Sequence, residues 1–194
     1  MNAKDLNDLI KKRRSVFPKM YSDEPINQEV IEQMLENANW APTHRFTEPW
    51  RFTVFQGEGL KKLATYQSAL YKKVTEADGS YEERKFQKLA HQPMMASHVI
   101  AISMRRDPEE SVREVEEIAA VSMAVQNMYL TAAAYGVGCY WGTGGITYME
   151  GAKEFFGLGA NDIFMGFLYC GNIKGELKGK GLRKPIAEKV TWVA

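Results

Sequence analysis

The sequence predicts one globular domain of the α/β or α+β class, spanning residues 1–194, in which helices pack against a sheet. The 194 residues and 22.0 kDa fit a single hydrophobic core. A composition of 45% hydrophobic and 25% charged residues is that of an average globular protein. Short apolar segments typical of strands alternate with longer segments of helical periodicity, and this alternation indicates a layered domain.

Two helices are predicted ahead of the first strand. The first has apolar residues at helical spacing, namely Leu6, Leu9 and Ile10, followed one turn later by Arg13. The second covers residues 28–39, where an apolar face recurs every three or four positions. Asn27 is a suitable N-cap for it, and Ala41-Pro42 should end it, because the residue before a proline disfavours helical geometry.

The middle of the chain predicts four strands and two further helices. The strands are expected at 51–56, 98–104, 137–141 and 163–170, and the helices at 60–75 and 111–135. The helix at 111–135 is apolar nearly all round in its second half, which is typical of a central buried helix. The strands at 137–141 and 163–170 have unbroken apolar character, which predicts interior strands covered on both faces.

The tail, residues 173–194, opens with a glycine- and lysine-rich stretch. It closes with apolar residues around Val190 and Trp192, which predict an edge strand. A strand at the end of a domain often has to pair with another chain.

Charge and hydropathy exclude several classes of partner. With 25 basic and 24 acidic residues the net charge is +1, so no overall charge drives binding to nucleic acid or to an anionic membrane. The sequence has no run of about 20 apolar residues and no apolar signal region at its start. We therefore expect a soluble, cytoplasmic protein.

The two cysteines, Cys139 and Cys170, lie in apolar segments and form no Cys-x-x-Cys motif. Buried free thiols are the favoured interpretation, because Cys behaves as a small apolar residue in reducing compartments. A redox pair is the alternative.

Several common catalytic motifs are absent. Trp141 stands where a Gly-x-Gly-x-x-Gly fingerprint beginning at Gly136 needs its third glycine, and the sequence has no P-loop. The three histidines, His44, His91 and His98, have no metal-ligand spacing, so no metal site is predicted. No Gly-x-Ser-x-Gly elbow supports a hydrolase.

Four segments could bind a ligand. Arg13, Arg14 and Ser15 follow the first helix, where forked guanidinium donors could hold a phosphate; the alternative is a solvated basic helix end. A loop at 40–51 combines two prolines, two tryptophans and several donors. Residues 138–145 place an aromatic strand end before a glycine-rich turn, where backbone could approach a flat ring; a plain tight turn is the alternative. A basic tail patch comprises Lys178, Lys180, Arg183 and Lys184.

In this order the segments resemble the FMN-dependent nitroreductase family. The resemblance covers nearly the whole chain and rests on four motifs in register, which are Arg13-Arg14-Ser15, the loop from Ala41-Pro42 to Pro49-Trp50, Gly136 to Trp141 after the buried helix, and Arg183-Lys184-Pro185. The phrases Ala-Pro-Thr-His and Glu-Pro-Trp-Arg-Phe are most similar to its short, minimal-chain subgroup. The resemblance implies an α+β three-layer sandwich with a mixed central sheet and helices on both faces. It also implies an intertwined homodimer with two FMN sites at the interface, with residues 173–194 as an arm that pairs with the partner.

The resemblance also implies roles for individual residues. Arg13, Arg14 and Ser15 would contact the FMN phosphate and ring edge, and Arg183 would close on the phosphate. The loop residues Trp40, Pro42, Thr43 and His44 would reach the flavin from the other subunit. The strand end would contact the ring through Trp141, Gly142, Thr143, Gly144 and Gly145.

Two positions depart from the family pattern. Glu48 stands where the family usually has Gln, which replaces an amide by a carboxylate. Phe17-Pro18 follow Ser15 where the family often has a basic residue that stabilises reduced flavin, and Lys19 is the nearest cation. The region 60–92 corresponds to the family's variable cover over the ring and is expected to set substrate choice.

The implied activity is an NAD(P)H-dependent flavin oxidoreductase. NADPH or NADH would deliver hydride to FMN N5 and leave, and a nitroaromatic, quinone or similar small acceptor would take the electrons in a ping-pong cycle. No protein residue is needed as catalytic acid or base. The alternatives are a flavin-binding or storage module without fast turnover, and a specialised relative such as a reductive dehalogenase or a flavin-fragmenting enzyme.

Overall fold

The computed structural model describes residues 2–177 and 181–194, and within them helices cover both faces of one four-stranded sheet. The helices are α1 (Ala3–Lys12), α2 (Gln28–Asn39), α3 (Glu58–Asp78), α4 (Glu83–His91) and α5 (Glu114–Ala134). The strands are β1 (Trp50–Gln56), β2 (His98–Met104), β3 (Val137–Gly142) and β4 (Ile163–Asn172). Short 3₁₀ turns lie between several of these elements and in the tail at Ile186–Lys189.

The sheet has the order β1-β2-β4-β3, and every neighbouring pair of strands is antiparallel. The expected mixed sheet is therefore wrong for the described strands. Among the described residues, parallel pairing is limited to one isolated bridge. It joins Ser15, in the segment after α1, to Cys139 on the free edge of β3. The expectation that 137–141 is an interior strand is also wrong, since β3 lies at the edge of this sheet.

The side chains of β2 point alternately into two hydrophobic cores, one on each face of the sheet. All seven residues of β2 are buried. Ile100, Ile102 and Met104 pack with α2 and α5, whereas Val99 and Ala101 pack with the side of the sheet that α3 and α4 cover. Successive side chains of a strand point to opposite faces, so a strand that is buried at every position needs cover on both faces. This arrangement confirms the expected α+β fold with three layers.

The predicted elements agree closely with the structure where the local signal is strong. The predicted ranges 28–39 and 98–104 match α2 and β2 at both ends. The Asn27 side chain accepts a hydrogen bond from Glu29 N, which caps α2 as expected. Helix α4 was not predicted, because its residues are mainly polar and only Leu89 is buried.

The predicted edge strand of the tail is wrong for the described residues. Residues 181–194 contain the short 3₁₀ turn and no strand, and Trp192 is 91% exposed. A strand forms only against a neighbour that satisfies its backbone groups, and the single chain offers none at this position. The segment comprising Lys178 and Lys180 of the predicted basic patch lies outside the described residues.

None of the helices in the described part of the chain is long and apolar enough to cross a membrane. Within the same residues no group of three or more His, Cys, Asp or Glu side chains is placed to hold a metal ion.

His98 joins β1, β2 and the start of α2 through one buried ring. Its Nδ1 lies 2.9 Å from Ser97 Oγ, and its Nε2 lies 2.9 Å from Gln56 Oε1. Ser97 Oγ accepts from Ile26 N, so its own hydroxyl can donate to Nδ1, while Nε2 donates to the amide oxygen. This assigns the neutral ring protonated at Nε2, and burial lowers the pKa of His98.

Because the pKa of His98 is lower in the folded than in the unfolded protein, the unfolded state binds the proton first as pH falls. We expect the free energy of unfolding to decrease below the ordinary histidine pKa of about 6.5, with a slope of at most about 1.4 kcal/mol per pH unit. Urea unfolding of the protein and of His98→Gln between pH 7.5 and 5 measures this slope. An equally steep decrease in the variant would contradict the assignment.

Candidate functional site

A basic groove forms where the segment after α1 meets the free edge of β3. Val16 N donates to Cys139 O at 2.8 Å, next to the Ser15–Cys139 bridge, and this pairing holds the segment against the strand. The groove has a volume of about 800 Å³. Its lining comprises Ile10, Lys11, Arg13, Arg14, Ser15, Gln126, Gly181 and Arg183. The structure thus brings both ends of the chain to one place, with three guanidinium groups and no carboxylate among the described lining residues.

Arg13 is held in place by an aromatic ring of α5. Its guanidinium carbon lies 5.0 Å from the centre of the Tyr129 ring, within the range of a cation–π contact. The Tyr129 hydroxyl accepts a hydrogen bond of 2.7 Å from Trp141 N. Burial raises the pKa of Tyr129, and hydrogen bonds with Ser15 and Trp141 act in the opposite direction. Tyr129 therefore links the basic segment to the end of β3.

The end of β3 leads into the glycine-rich turn. Trp141 is half-buried, and its indole Nε1 donates to Met165 O at 2.9 Å, so the ring is fixed against β4. A side chain at Gly144 would meet nothing within 4 Å, which leaves the backbone open to an approaching group. Gly145 has φ +66°, and a Cβ there would lie 2.8 Å from Leu89 Cδ2 on α4. The left-handed conformation favours glycine at 145, and a larger residue there would also have to displace the end of the Leu89 side chain.

The loop at 40–48 lies elsewhere in the single chain. His44 Nδ1 is 2.8 Å from Glu116 Oε2 near the start of α5, and this hydrogen bond lowers the pKa of Glu116. Gln126, which lines the basic groove, is ten positions further along the same helix, or about 15 Å at 1.5 Å per residue. Within one chain His44, which follows Pro42 and Thr43, is therefore separated from the groove, whereas Trp40 lines a neighbouring pocket with residues of α1 and α5.

This loop is strained and exposes aromatic side chains. Arg45, Phe46 and Glu48 have φ of +53°, +55° and +42°, a conformation that costs a non-glycine residue roughly 1 kcal/mol or more. Phe46 is 88% exposed and Trp40 is 78% exposed. The Thr43 hydroxyl accepts from Glu48 N at 3.2 Å and braces the turn.

The two departures from the family pattern have clear positions. Glu48 is exposed; its carbonyl accepts from the Arg51 guanidinium at 2.8 Å. Phe17 packs on Tyr140 with ring centres 4.6 Å apart, so an aromatic contact occupies the place after Ser15. Lys19 is exposed in the following 3₁₀ turn.

A second, smaller pocket lies where α3 and α4 cover the end of β3, and most of its lining residues have no individual role in the sequence-based predictions. Its volume is about 180 Å³, and three of the predicted turn residues, Gly142, Gly144 and Gly145, belong to its wall. The remaining lining residues are Gln67, Lys85, Lys88, Leu89, Gln92, Tyr140, Phe167 and Tyr169. Most of these come from the region 60–92 or from β4, and no short motif marks them.

The two cysteines face each other across β3 and β4. Cys139 and Cys170 are directly paired in register, their sulfur atoms are 3.5 Å apart, and both side chains are buried. The contact with Cys139, together with burial, raises the pKa of Cys170. Both thiols are free in the structure.

Comparison with known proteins now gives the family. The Nitroreductase family model matches residues 10–172, and this chain belongs to that family. The chain is 32% identical over 186 residues to "Putative NAD(P)H nitroreductase YfhC" of Bacillus subtilis (strain 168), covering 96% of this chain and 93% of that protein.

Two solved structures have the same fold. The nitroreductase-like family protein from Bacillus cereus superimposes with a TM-score of 0.82 at 28% identity, over 100% of this chain and 98% of the other. A "putative nitroreductase in complex with FMN" from Desulfovibrio desulfuricans superimposes with a TM-score of 0.71 at 25% identity, again over 100% and 98%.

Proposed function

We propose that this protein is an FMN-dependent NAD(P)H oxidoreductase that reduces a nitroaromatic, a quinone or a similar small acceptor. The observation that carries the proposal is the basic groove, which assembles Arg13, Arg14, Ser15 and Arg183 from opposite ends of the chain. The family supports it, as do the FMN in the Desulfovibrio desulfuricans structure and the NAD(P)H in the name of the Bacillus subtilis relative.

The groove fits the phosphate of FMN. Guanidinium groups present paired donors that match phosphate oxygens, and the Ser15 hydroxyl adds a further donor. A dianion in this groove meets no carboxylate among the described lining residues. Arg13, Arg14, Ser15 and Arg183 would therefore hold the phosphate end.

The end of β3 fits the ring of FMN. Ser15 pairs beside Cys139, and Gly142 follows three residues later, which is about 10 Å along the strand. A ligand with its phosphate in the groove can thus reach the strand end, where backbone at Gly144 is open. The residues that would contact the ring are Trp141, Gly142, Thr143, Gly144 and Gly145.

Two chains complete the site in this proposal. His44 is distant from its own groove and Trp40 is 78% exposed, so the loop with Trp40, Pro42, Thr43 and His44 would serve the groove of a second copy. Support comes from surfaces that one chain leaves uncovered: α1 buries none of its residues, and in the tail Leu182 and Trp192 are almost fully exposed. We therefore propose a homodimer in which the arm, residues 173–194, packs on the partner.

Bound FMN would supply the centre that accepts and donates hydride. The residues named above would bind and orient it, and the loop of the second copy would exclude water from its ring. Arg13 would contribute a fixed positive charge, because Tyr129 holds its guanidinium against the strand end.

The first test is the visible absorption spectrum of the purified protein, recorded anaerobically before and after NADPH and, separately, NADH. We expect a flavin spectrum that bleaches within seconds with at least one donor. A colourless protein that ignores added FMN would contradict the proposal. A yellow protein that both donors reduce only slowly would favour a flavin-storage role.

A second test addresses the phosphate contacts. We expect Arg13→Ala to weaken FMN binding roughly 10- to 100-fold, the range for losing a hydrogen bond to a charged group, and riboflavin binding much less. Fluorescence titration of the flavin-free protein with each flavin measures both constants. Lys62→Ala, on the exposed side of α3, is the control. Equal losses for the two flavins would assign Arg13 to another role.

A third test addresses the dimer. Sedimentation of the FMN-loaded protein should give twice the 22.0 kDa chain mass. Truncation after Pro185 removes the apolar end of the arm but keeps Arg183, and it should shift the protein towards monomer and release FMN. A stable monomer that retains FMN would show that the site is complete within one chain.

A further inference from the structure

Cys139 and Cys170 form a buried dithiol that joins β3 to β4. The two residues are direct partners in the antiparallel register, and their sulfur atoms are 3.5 Å apart. The Cβ atoms of a disulfide lie roughly 3.5–4.5 Å apart, close to the roughly 4.5–5.5 Å between facing residues of neighbouring strands. A small shift of one strand towards the other is therefore enough to bring the two sulfur atoms into bonding distance.

The strand that is free to shift is β3. In the sheet, β4 lies between β2 and β3, so it is held by a ladder of hydrogen bonds on both of its edges. β3 has such a ladder on one edge only, and on the other edge it meets Ser15 in a single bridge. Closure of the dithiol would thus move the edge strand and leave the central strand in place.

Only one of the two thiols faces a pocket. Cys139 lines a pocket of about 150 Å³, whereas Cys170 does not line it and is fully buried. This volume is several times the roughly 30 Å³ that one water molecule takes up in the liquid, so hydrogen peroxide can enter. Lys12, Arg13 and Arg14 also line the pocket, and their side chains can donate hydrogen bonds to a peroxide oxygen.

The chemistry of the pair gives the two thiols different roles. The contact with Cys139, together with burial, raises the pKa of Cys170, so this thiol keeps its proton at neutral pH. The thiolate is the nucleophilic form of cysteine. Cys139 is therefore the residue that an oxidant meets first, and Cys170 is in place to react with the product.

We propose that Cys139 and Cys170 are a peroxide-sensitive dithiol that closes reversibly into a disulfide. The Cys139 sulfur attacks one oxygen of a hydroperoxide and breaks the O–O bond; it becomes a sulfenic acid, and the other oxygen leaves as water or alcohol with the thiol proton. The Cys170 sulfur then attacks the sulfenic sulfur. The S–S bond forms, the S–O bond breaks, and the hydroxyl leaves as water with the Cys170 proton. Two thiols thereby lose two electrons, and one hydroperoxide gains them.

The disulfide acts on the segment that carries the arginines. Val16 N donates to Cys139 O on β3 at 2.8 Å. Val16 O lies 2.8 Å from the Tyr21 hydroxyl, which is also 2.9 Å from Tyr169 O on β4. The segment is thus tied to both strands, and a shift of β3 relative to β4 cannot preserve both ties. We expect oxidation to weaken the binding of FMN, and this consequence rests on the proposed function.

The first experiment follows the thiols of the FMN-loaded protein. The protein is exposed to excess hydrogen peroxide at neutral pH, treated with catalase and denatured in N-ethylmaleimide, and its intact mass is measured. We expect a product two hydrogen atoms lighter that takes up no maleimide and yields a linked pair of peptides containing Cys139 and Cys170. Dithiothreitol should restore both thiols. Unchanged uptake of maleimide after prolonged exposure would overturn the inference.

Two variants test the order of the reaction. Alanine is a conservative replacement here, because buried cysteine behaves as a small apolar residue. In Cys170→Ala, peroxide should convert Cys139 to a sulfenic acid that dimedone labels, whereas Cys170 of Cys139→Ala should stay unlabelled. The reverse pattern would overturn the assigned roles. The mass measurement on the unmodified protein depends on neither variant.

A binding experiment tests the effect on the groove. Fluorescence titration of the flavin-free protein with FMN should give about two- to tenfold weaker binding after oxidation, the range for losing one hydrogen bond between neutral groups. Dithiothreitol should restore the original dissociation constant. Cys139→Ala is the control, and peroxide should leave its affinity for FMN unchanged.

The outcomes separate this inference from the proposed function. A disulfide that forms without altering the affinity for FMN would overturn the effect on the groove. Thiols that resist peroxide in a protein that reduces its acceptor would overturn the inference and leave the oxidoreductase intact. A protein that binds no flavin yet forms the disulfide through Cys139 would support the dithiol and contradict the proposed function.

Discussion

The antiparallel pairing of β2 with β4 is the constraint on which the rest of the structure depends. Both strands are buried almost throughout, so each needs helices on both faces and a neighbour on both edges. β1 pairs with the outer edge of β2 and β3 with the outer edge of β4, so β1 and β3 are the edge strands, and the segment after α1 bridges to β3 at Cys139. The position of the basic groove is therefore set by the order of the strands.

A single tyrosine fixes the segment that carries the arginines. The Tyr21 hydroxyl lies 2.8 Å from Val16 O and 2.9 Å from Tyr169 O, so it joins this segment to the central strand β4. The ring crosses β4 directly over Gly171, where a Cβ would lie 2.3 Å from Tyr21 Cγ. Only glycine allows this approach. The groove thus depends on a contact between two residues that line no part of it.

The sequence was sufficient to predict those features whose signals are local. Helix α2 has a cap, an apolar face and a proline stop, and β2 is a short, mainly apolar run rich in β-branched residues, so the predicted bounds of both match the structure. Helix α4 buries only one leucine and has no such signal. That Arg183 complements Arg13 was a hypothesis from their shared charge, and the family resemblance gave it a definite role, because the two residues lie at opposite ends of the chain. The tail forms no strand in one chain, because a strand requires a neighbour and the neighbour predicted for it is a second chain.

The near balance of charge has a consequence for how anionic ligands reach the groove. The chain carries 25 basic and 24 acidic residues, so the protein as a whole has little long-range attraction for anions, and 0.1 M salt screens the local field of the groove over about one Debye length, roughly 10 Å. Attraction then acts only after a ligand has arrived at the surface, and it lengthens the residence time without accelerating the encounter. Added salt should accordingly affect dissociation of an anionic ligand far more than its association.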